Sequence, residues 1–448
     1  MFQTLKNALK IKDIRRKLVY TFFALLVVRI GSNLIIPGIN SESIKNFFEE
    51  FAAIGFFDAF TGGSFSTMSI FALSITPYIT SSIIIQLLTI AIPKLEDMQK
   101  DGEDGRKKIA EITRYVSVVL AIIESAAMAI GFSQKGYVEN DWKFICLMVV
   151  SMTAGSAFLM WLGERITEKG IGNGISIILL VNIVSRVPND MNALYVQFIK
   201  DADIMFNKIM AALIIIAIIA FVVVFVVILS EAERRIPVQY AKKLQGRKQV
   251  GGQSTYIPLK VNTAGVIPVI FTTSILQLPI MISGLFGIQA ASGIGADGKH
   301  VGTWPMILKL LTTSSWFNFS SWSEFKYTLG VLIYLGLLVF FAYFYTSITF
   351  NPIEVANNMK KQGGFIPGIR PGKATTEYLT EVLNKIIFIG VTGLAIVAII
   401  PLFFEGCFGA SVSFGGTSII IIVGVVIETM KQVESQMLVR HYKGFLSE

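Results

Sequence analysis

Cysteine and histidine are almost missing from this 448-residue chain. Cys146 and Cys407 are its two cysteines, and His300 and His441 its two histidines. A Cys/His zinc site or a disulfide framework therefore has almost nothing to be built from. Charge is scarce as well: 15% of residues are Asp, Glu, Lys or Arg, against about 25% in soluble domains. With 53% hydrophobic residues, Phe 34 and a mean hydropathy of +0.64, disorder and a solvated globular surface are both excluded. What remains is an all-α integral membrane protein.

A hydrocarbon core of roughly 30 Å needs about 20 mostly apolar residues per helix. Ten stretches qualify or nearly so, at 18–36, 71–92, 112–132, 144–163, 174–187, 209–230, 262–283, 327–349, 383–402 and 417–436. They are called spans 1 to 10. The fifth is short, and prolines interrupt the second (Pro77) and the seventh (Pro268, Pro279). Ten divides into five and five. Because five is odd, a second half resembling the first is inserted upside down, as in inverted-repeat transport proteins, and the interrupted helices of each half point to the pathway. Ordinary proline kinks are the plainer reading of the same pattern.

The net charge of +9 comes from 39 Lys and Arg against 30 Asp and Glu. Of those basic residues, 29 fall in one alternating set of segments and 9 in the other, with Arg29 inside span 1. The positive-inside rule then puts both termini in the cytoplasm and accounts for the basic character without nucleic acid. Residues 1–17 read as an interfacial helix before a retained span, not as a signal peptide. The chain thus divides into that helix, an N-terminal half over 18–187, an external loop over 188–208, a C-terminal half over 209–436 and a cytoplasmic tail over 437–448.

Chemistry is hard to place. Gly293-Ile-Gly295-Ala-Asp-Gly298-Lys299 matches G-x-G-x-x-G, yet it follows no predicted strand, opens no helix and lacks the final Ser/Thr. Arg29, Glu124 and Glu428 are the chief ionisable residues inside spans. Arg29 and Glu428 lie near enough to helix ends to reach an interface, which leaves Glu124. No acid, base, nucleophile or metal cluster supports an enzyme, so no catalytic residue, cofactor or metal is expected. The cytoplasmic segments 231–260 and 350–382 are longer than the positive-inside rule requires. The first carries Arg234, Arg235, Arg247 and Lys248; the second frames Arg370 with Gly368, Pro371 and Gly372. Two firm protrusions presenting cations to an anionic partner suit that composition. A passive channel and a solute carrier both fit the span count. Few midplane charges and long basic loops favour the channel.

Particular strings then resemble a known family. Pro77-Tyr78-Ile79 running on to Ser82–Leu88, the stretch Phe158–Ser176 with its Gly170-Ile171-Gly172-Asn173-Gly174, Leu259–Pro268, Gly368-Ile369-Arg370-Pro371-Gly372 and Phe414–Ser418 are similar to the SecY family. The likeness covers all ten spans and departs mainly in segment 284–326 and the tails.

Several features follow from that resemblance. It implies a protein-conducting channel whose two halves, hinged at the loop over 188–208, clasp an hourglass pore, with an aliphatic ring at Ile75, Ile79, Ile175, Leu179, Ile270 and Ile421. A plug, a short helix near 57–67 that includes Phe60, Thr61, Gly62, Gly63 and Ser64, is expected to seal the external funnel. Spans 2 and 3 facing spans 7 and 8 are expected to form a lateral gate, bridged by Gln86, Glu124 and Asn262. The basic loops are expected to dock the SecA motor or the ribosome. SecE-type and SecG-type subunits, signal sequences, unfolded precursors and lipid are the remaining implied partners.

Overall fold

The computed structural model describes residues 8–37, 39, 58, 60–134, 141–200, 205–240, 243–245, 248–250, 254–285, 302–313, 316–317, 326–408 and 416–445. A helix occupies each of the ten predicted stretches. In order they are Lys12–Gly31, Thr76–Ala91, Glu103–Gln134, Trp142–Lys169, Gly174–Leu194, Met205–Glu231, Ile267–Leu285, Leu329–Thr349, Lys373–Phe408 and Gly416–Phe445. Among the described residues, five helices are long and apolar enough by themselves to cross a membrane. A sixth span results if Thr76–Ala91 is taken with Pro93–Gln99, which turns away from it by 106°. Span 1 carries too many charges for that criterion, because its helix begins in the basic run Lys12–Lys17.

Two boundaries differ from the sequence expectation for physical reasons. Span 5 does not stop before Pro188. It runs through that proline to Leu194 and continues as a π-helical turn over Tyr195–Lys200. Proline inside a membrane helix is tolerated because neighbouring groups take up the freed carbonyl. Most of the expected hinge loop at 188–208 is thus helical.

The second difference concerns the interrupted spans. Pro77 and Pro268 do not kink helices; each is the second residue of one, Thr76–Ala91 and Ile267–Leu285. There a missing N–H costs nothing and the fixed φ favours helix entry. The residues before them are irregular: 62–75 are turns apart from Ser69, which bridges to Ile35, and 261–266 are turns and bends. Each irregular stretch is admitted by a glycine on a neighbouring span. A Cβ at Gly155 on span 4 would lie 2.1 Å from the Ile70 carbonyl, and one at Gly390 on span 9 would lie 2.3 Å from the Val261 carbonyl. Spans 4 and 9 hold the same place in their halves, as do spans 2 and 7. The two halves share one solution to one packing problem.

Each half has its own core. Met68, Ala121, Met128, Met148 and Met152 join the stretch before span 2 to spans 3 and 4. Val226, Tyr334, Leu338, Leu394 and Val397 join spans 6, 8 and 9. The two basic segments are not separate protrusions. Segment 231–260 folds into β1 (Glu233–Tyr240) and β4 (Ser254–Lys260), paired antiparallel with Ile236 opposite Ile257; between them β2 (Lys243–Gln245) pairs with β3 (Lys248–Val250). The second segment supplies β5 (Gly364–Phe365), which pairs with β1 at Gln239 and Tyr240 to give the order β4-β1-β5. Ile236, Val238, Leu259, Met359, Ile366 and Leu379 form one core beneath the sheet.

Replacing Gly155 or Gly390 by alanine should lower the melting temperature measurably, because a backbone carbonyl must move in each case. Gly336 on span 8 has nothing within 4 Å of an added Cβ, so Gly336→Ala should leave the melting temperature unchanged.

Candidate functional site

The broken helices bring their first turns together. Ile75 is the N-cap residue of span 2, and the Ile79 N–H donates to its carbonyl at 3.1 Å. In span 7 the Ile270 N–H donates to the Val266 carbonyl at 3.2 Å. Pro77-Tyr78-Ile79 and Pro268-Val269-Ile270 therefore place an isoleucine two residues after the helix-opening proline in both halves. Span 5 starts at Gly174, with the Asn173 side chain accepting from the Ile175 and Ser176 N–H groups. Ile75, Ile79, Ile175, Ile270 and Ile421 all belong to one apolar cluster, which thus draws on spans 2, 5, 7 and 10. Leu179, the sixth predicted residue, is buried one turn after Ile175.

The segment predicted as a plug sits against the same cluster through Phe60. Phe57 and Ala59 lie outside the described residues. Helix is confined to its start, since Gly62 (φ 69°) and Gly63 (φ 88°) turn the chain, and 62–68 are turns. Polar bonds hold this segment, and they were not expected from the sequence. The Asn182 amide on span 5 donates to the Phe60 carbonyl at 3.3 Å and to Ser74 Oγ at 3.2 Å. Arg29 donates to the Gly62 carbonyl at 3.4 Å, and Ser185 Oγ lies 3.5 Å from that carbonyl while donating to the Asn182 carbonyl of its own helix at 2.6 Å. Arg29 is thus turned to protein, not to an interface. Arg186 pairs with Asp58 at 2.7 Å. An asparagine within the apolar run Gly174–Val187 was the available signal for this set. Ser64 is fully buried in the segment, and Thr61 bonds back to the Asp58 carbonyl.

The predicted gate trio is not brought together. Gln86 donates to Ser82 on its own helix at 3.4 Å. Glu124 is half-buried on span 3. Asn262 faces the other way, lining a small cavity with Thr346, Ile387 and Gly390 of spans 8 and 9. The seam between span 2 and spans 7 and 8 is apolar instead. Ile83, Phe271 and Phe341 are buried in it, with Ile79, Leu87 and Leu337 around them, and the Phe271 and Phe341 rings meet edge to face at 5.6 Å. That ring pair lies within the C-terminal half, and Ile83 of span 2 packs against it from the other side.

On the sheet, Arg234 is exposed at the edge of β1, as is Arg370 at the loop tip. Gly368 (φ 81°) and Gly372 (φ 105°) bend the backbone on both sides of Arg370, whose carbonyl accepts from Thr375 Oγ1 at 2.9 Å. Arg235 is already engaged: its Nε donates to Glu233 at 2.6 Å and its guanidinium lies 4.9 Å from the Tyr256 ring centre. The hydrogen bond to Glu233 raises its pKa above the ordinary arginine value. Arg247 lies outside the described residues, and Lys248 opens strand β3. No cluster of three or more potential metal ligands occurs among the described residues.

These features define a class: a polytopic helical membrane protein whose two halves close on an apolar waist. Comparison with known proteins agrees. The SecY family model matches residues 69–430. Protein translocase subunit SecY of Halalkalibacterium halodurans is 44% identical over 456 residues, and that of Bacillus subtilis 41% over 460, each alignment spanning 100% of both chains. The chain belongs to the SecY family. Its fold is shared with a solved protein-conducting channel (TM-score 0.59, 20% identity, covering 95% of this chain and 93% of that one). It is also shared with Sec61 from a canine ribosome-channel complex (TM-score 0.57, 18% identity, 95% and 93%).

Phe271→Ala empties the centre of the seam, which in a buried core costs about 3–5 kcal/mol. The variant should melt lower than the parent, and a cysteine introduced at position 83 should react faster with a thiol reagent in it. Gln86→Ala should change neither.

Proposed function

We propose that this chain is the channel subunit of a protein translocase, passing unfolded polypeptides across a membrane and releasing apolar segments sideways into lipid. The observation that carries the reading is the waist. Isoleucines from the first turns of two broken helices, with Ile175 and Ile421, meet in a cluster that offers a passing chain no specific hydrogen bond. A conduit for arbitrary sequences needs that indifference. An apolar constriction also excludes water and ions when empty. The six residues Ile75, Ile79, Ile175, Leu179, Ile270 and Ile421 act as the ring. Residues 58–67 act as the plug, and the seam of Ile83, Phe271 and Phe341 acts as the lateral gate. A signal helix opens that seam by replacing helix contacts with its own, shifting the population by differential binding.

The basic sheet faces the cytoplasm, in keeping with the 29 to 9 division of Lys and Arg, and both termini lie on that side of a bacterial plasma membrane. Arg234 and Arg370 dock the SecA motor or the ribosome, with Arg247 and Lys248 nearby in sequence. SecE-type and SecG-type subunits complete the assembly. Energy for movement comes from the docked partner, since the channel itself hydrolyses nothing.

A photoreactive residue at position 79, with a secretory precursor arrested midway, should give adducts that require a signal sequence. Adducts from none of the six ring positions, with the precursor demonstrably lodged, would sink the channel reading. Arg370→Glu should weaken partner binding at least tenfold at low salt. If the partner presents RNA phosphate, parent binding itself should fall steeply as salt rises.

A further inference from the structure

We propose that the Asp58–Arg186 ion pair is the latch that holds the plug segment in its resting seat, and that Arg186 is a positioning residue of the closed channel. The proposal rests on the channel reading above.

Asp58 is the hub of the segment. One carboxylate oxygen meets the Arg186 guanidinium at 2.7 Å, and the other accepts from the Ser66 N–H at 2.9 Å. Its carbonyl accepts from the Gly63 N–H at 3.0 Å and the Thr61 hydroxyl at 3.2 Å. The turn from 58 to 66 is thereby organised around one residue, and Arg186 ties that residue to span 5. Neither partner is a surface group, since the side chains are 5% and 22% exposed. Losing one partner leaves the other charge poorly solvated, which costs far more than losing a surface pair. Asn182, Ser185 and Arg186 lie on one face of the helix at i, i+3 and i+4, so the pair stands at the end of a polar strip along the segment.

The same seat carries features that oppose closure. Ser64 Oγ, Asn182 Oδ1 and Arg186 Nε are buried without hydrogen-bond partners among the described residues. Met68 (φ 46°) and Ser74 (φ 50°) hold left-handed backbone that non-glycine residues seldom adopt. A seat with such opposing terms is poised, and one directional bond can decide its occupancy. An ion pair has a further property that apolar packing lacks. Its strength falls as the local dielectric rises, so the latch weakens when a hydrated chain wets the waist. Both ends of the latch, Asp58 in the segment and Arg186 on span 5, belong to the N-terminal half. Parting spans 2 and 3 from spans 7 and 8 therefore leaves the latch itself intact, and wetting releases it.

The test is resting ion conductance of the purified channel reconstituted in planar bilayers without substrate. Asp58→Asn and Arg186→Gln should each raise it about tenfold or more. The exchange Asp58→Arg with Arg186→Asp should bring it back towards the parent. Arg186→Lys, which keeps the charge, should leak less than Arg186→Gln; that variant and the exchange carry the test if Asp58→Asn does not fold. Two results overturn the latch: single variants as tight as the parent while deletion of residues 60–64 conducts, or an exchange variant that melts like the parent yet leaks like the single variants. If the deletion variant is also silent and position 79 gives no precursor adducts, the channel reading fails and the latch falls with it.

Discussion

A backbone N–H or C=O without a partner costs several kcal/mol in hydrocarbon, and the architecture of this protein turns on that constraint. Regular helix is the safe state inside a membrane, yet both halves leave it before spans 2 and 7. They do so where a neighbouring span carries glycine, so that the Ile70 and Val261 carbonyls pass against the Gly155 and Gly390 backbones, shielded by protein. The helices then restart at Pro77 and Pro268. Breaking the helix part-way is what lets Ile79 and Ile270 point into a common cluster from opposite halves. The waist is a product of where irregular backbone can be hidden.

Sealing elements around that waist use different physics. The seam between spans 2, 7 and 8 is closed by apolar packing around Phe271 and Phe341, which is non-directional and can re-form around a different apolar helix. The plug segment is held by hydrogen bonds to Arg29 and Asn182 and a charge pair to Arg186, which are directional and define one seat. Exchangeable contacts suit a lateral exit, and directional ones suit a stopper.

Much of the fold was legible in the sequence because hydropathy acts over windows of about 20 residues, and each of the ten windows holds a helix. Helix ends were less legible. The run Lys12–Lys17, expected in a separate interfacial helix, is continuous with span 1, and Pro188 is absorbed within span 5. The sheet escaped because β1 shows only Ile236 and Val238 in alternation, around a proline, and its partner β5 is a two-residue strand more than 120 residues away. The five isoleucines of the cluster came from motif resemblance; no periodicity would separate them from the many other isoleucines here. The polar strip escaped because Asn182 and Phe60 are distant in sequence, and pairing across such a gap leaves no local pattern. Gln86, Glu124 and Asn262 are polar positions on the gate helices that the resemblance implies, and spacing along the chain does not show that Gln86 bonds Ser82 of its own helix and that Asn262 lines a cavity with spans 8 and 9.

The two-residue pairing of β5 with β1 has a mechanical consequence. β1 follows the end of span 6 at Glu231 almost directly, and β4 leads through Lys260 into span 7. The loop bearing Arg370 is welded to β1 at one end and to the start of span 9 at the other. A load applied at that tip is therefore not dissipated in a slack loop. It travels as torque through a short stiff lever into spans 6, 7 and 9, all of the C-terminal half, and reaches the seam through Phe271. On the docking proposed above, a machine that pushes or twists on the sheet would pry at the span 7 side of the closed interface, with the N-terminal half as its anvil.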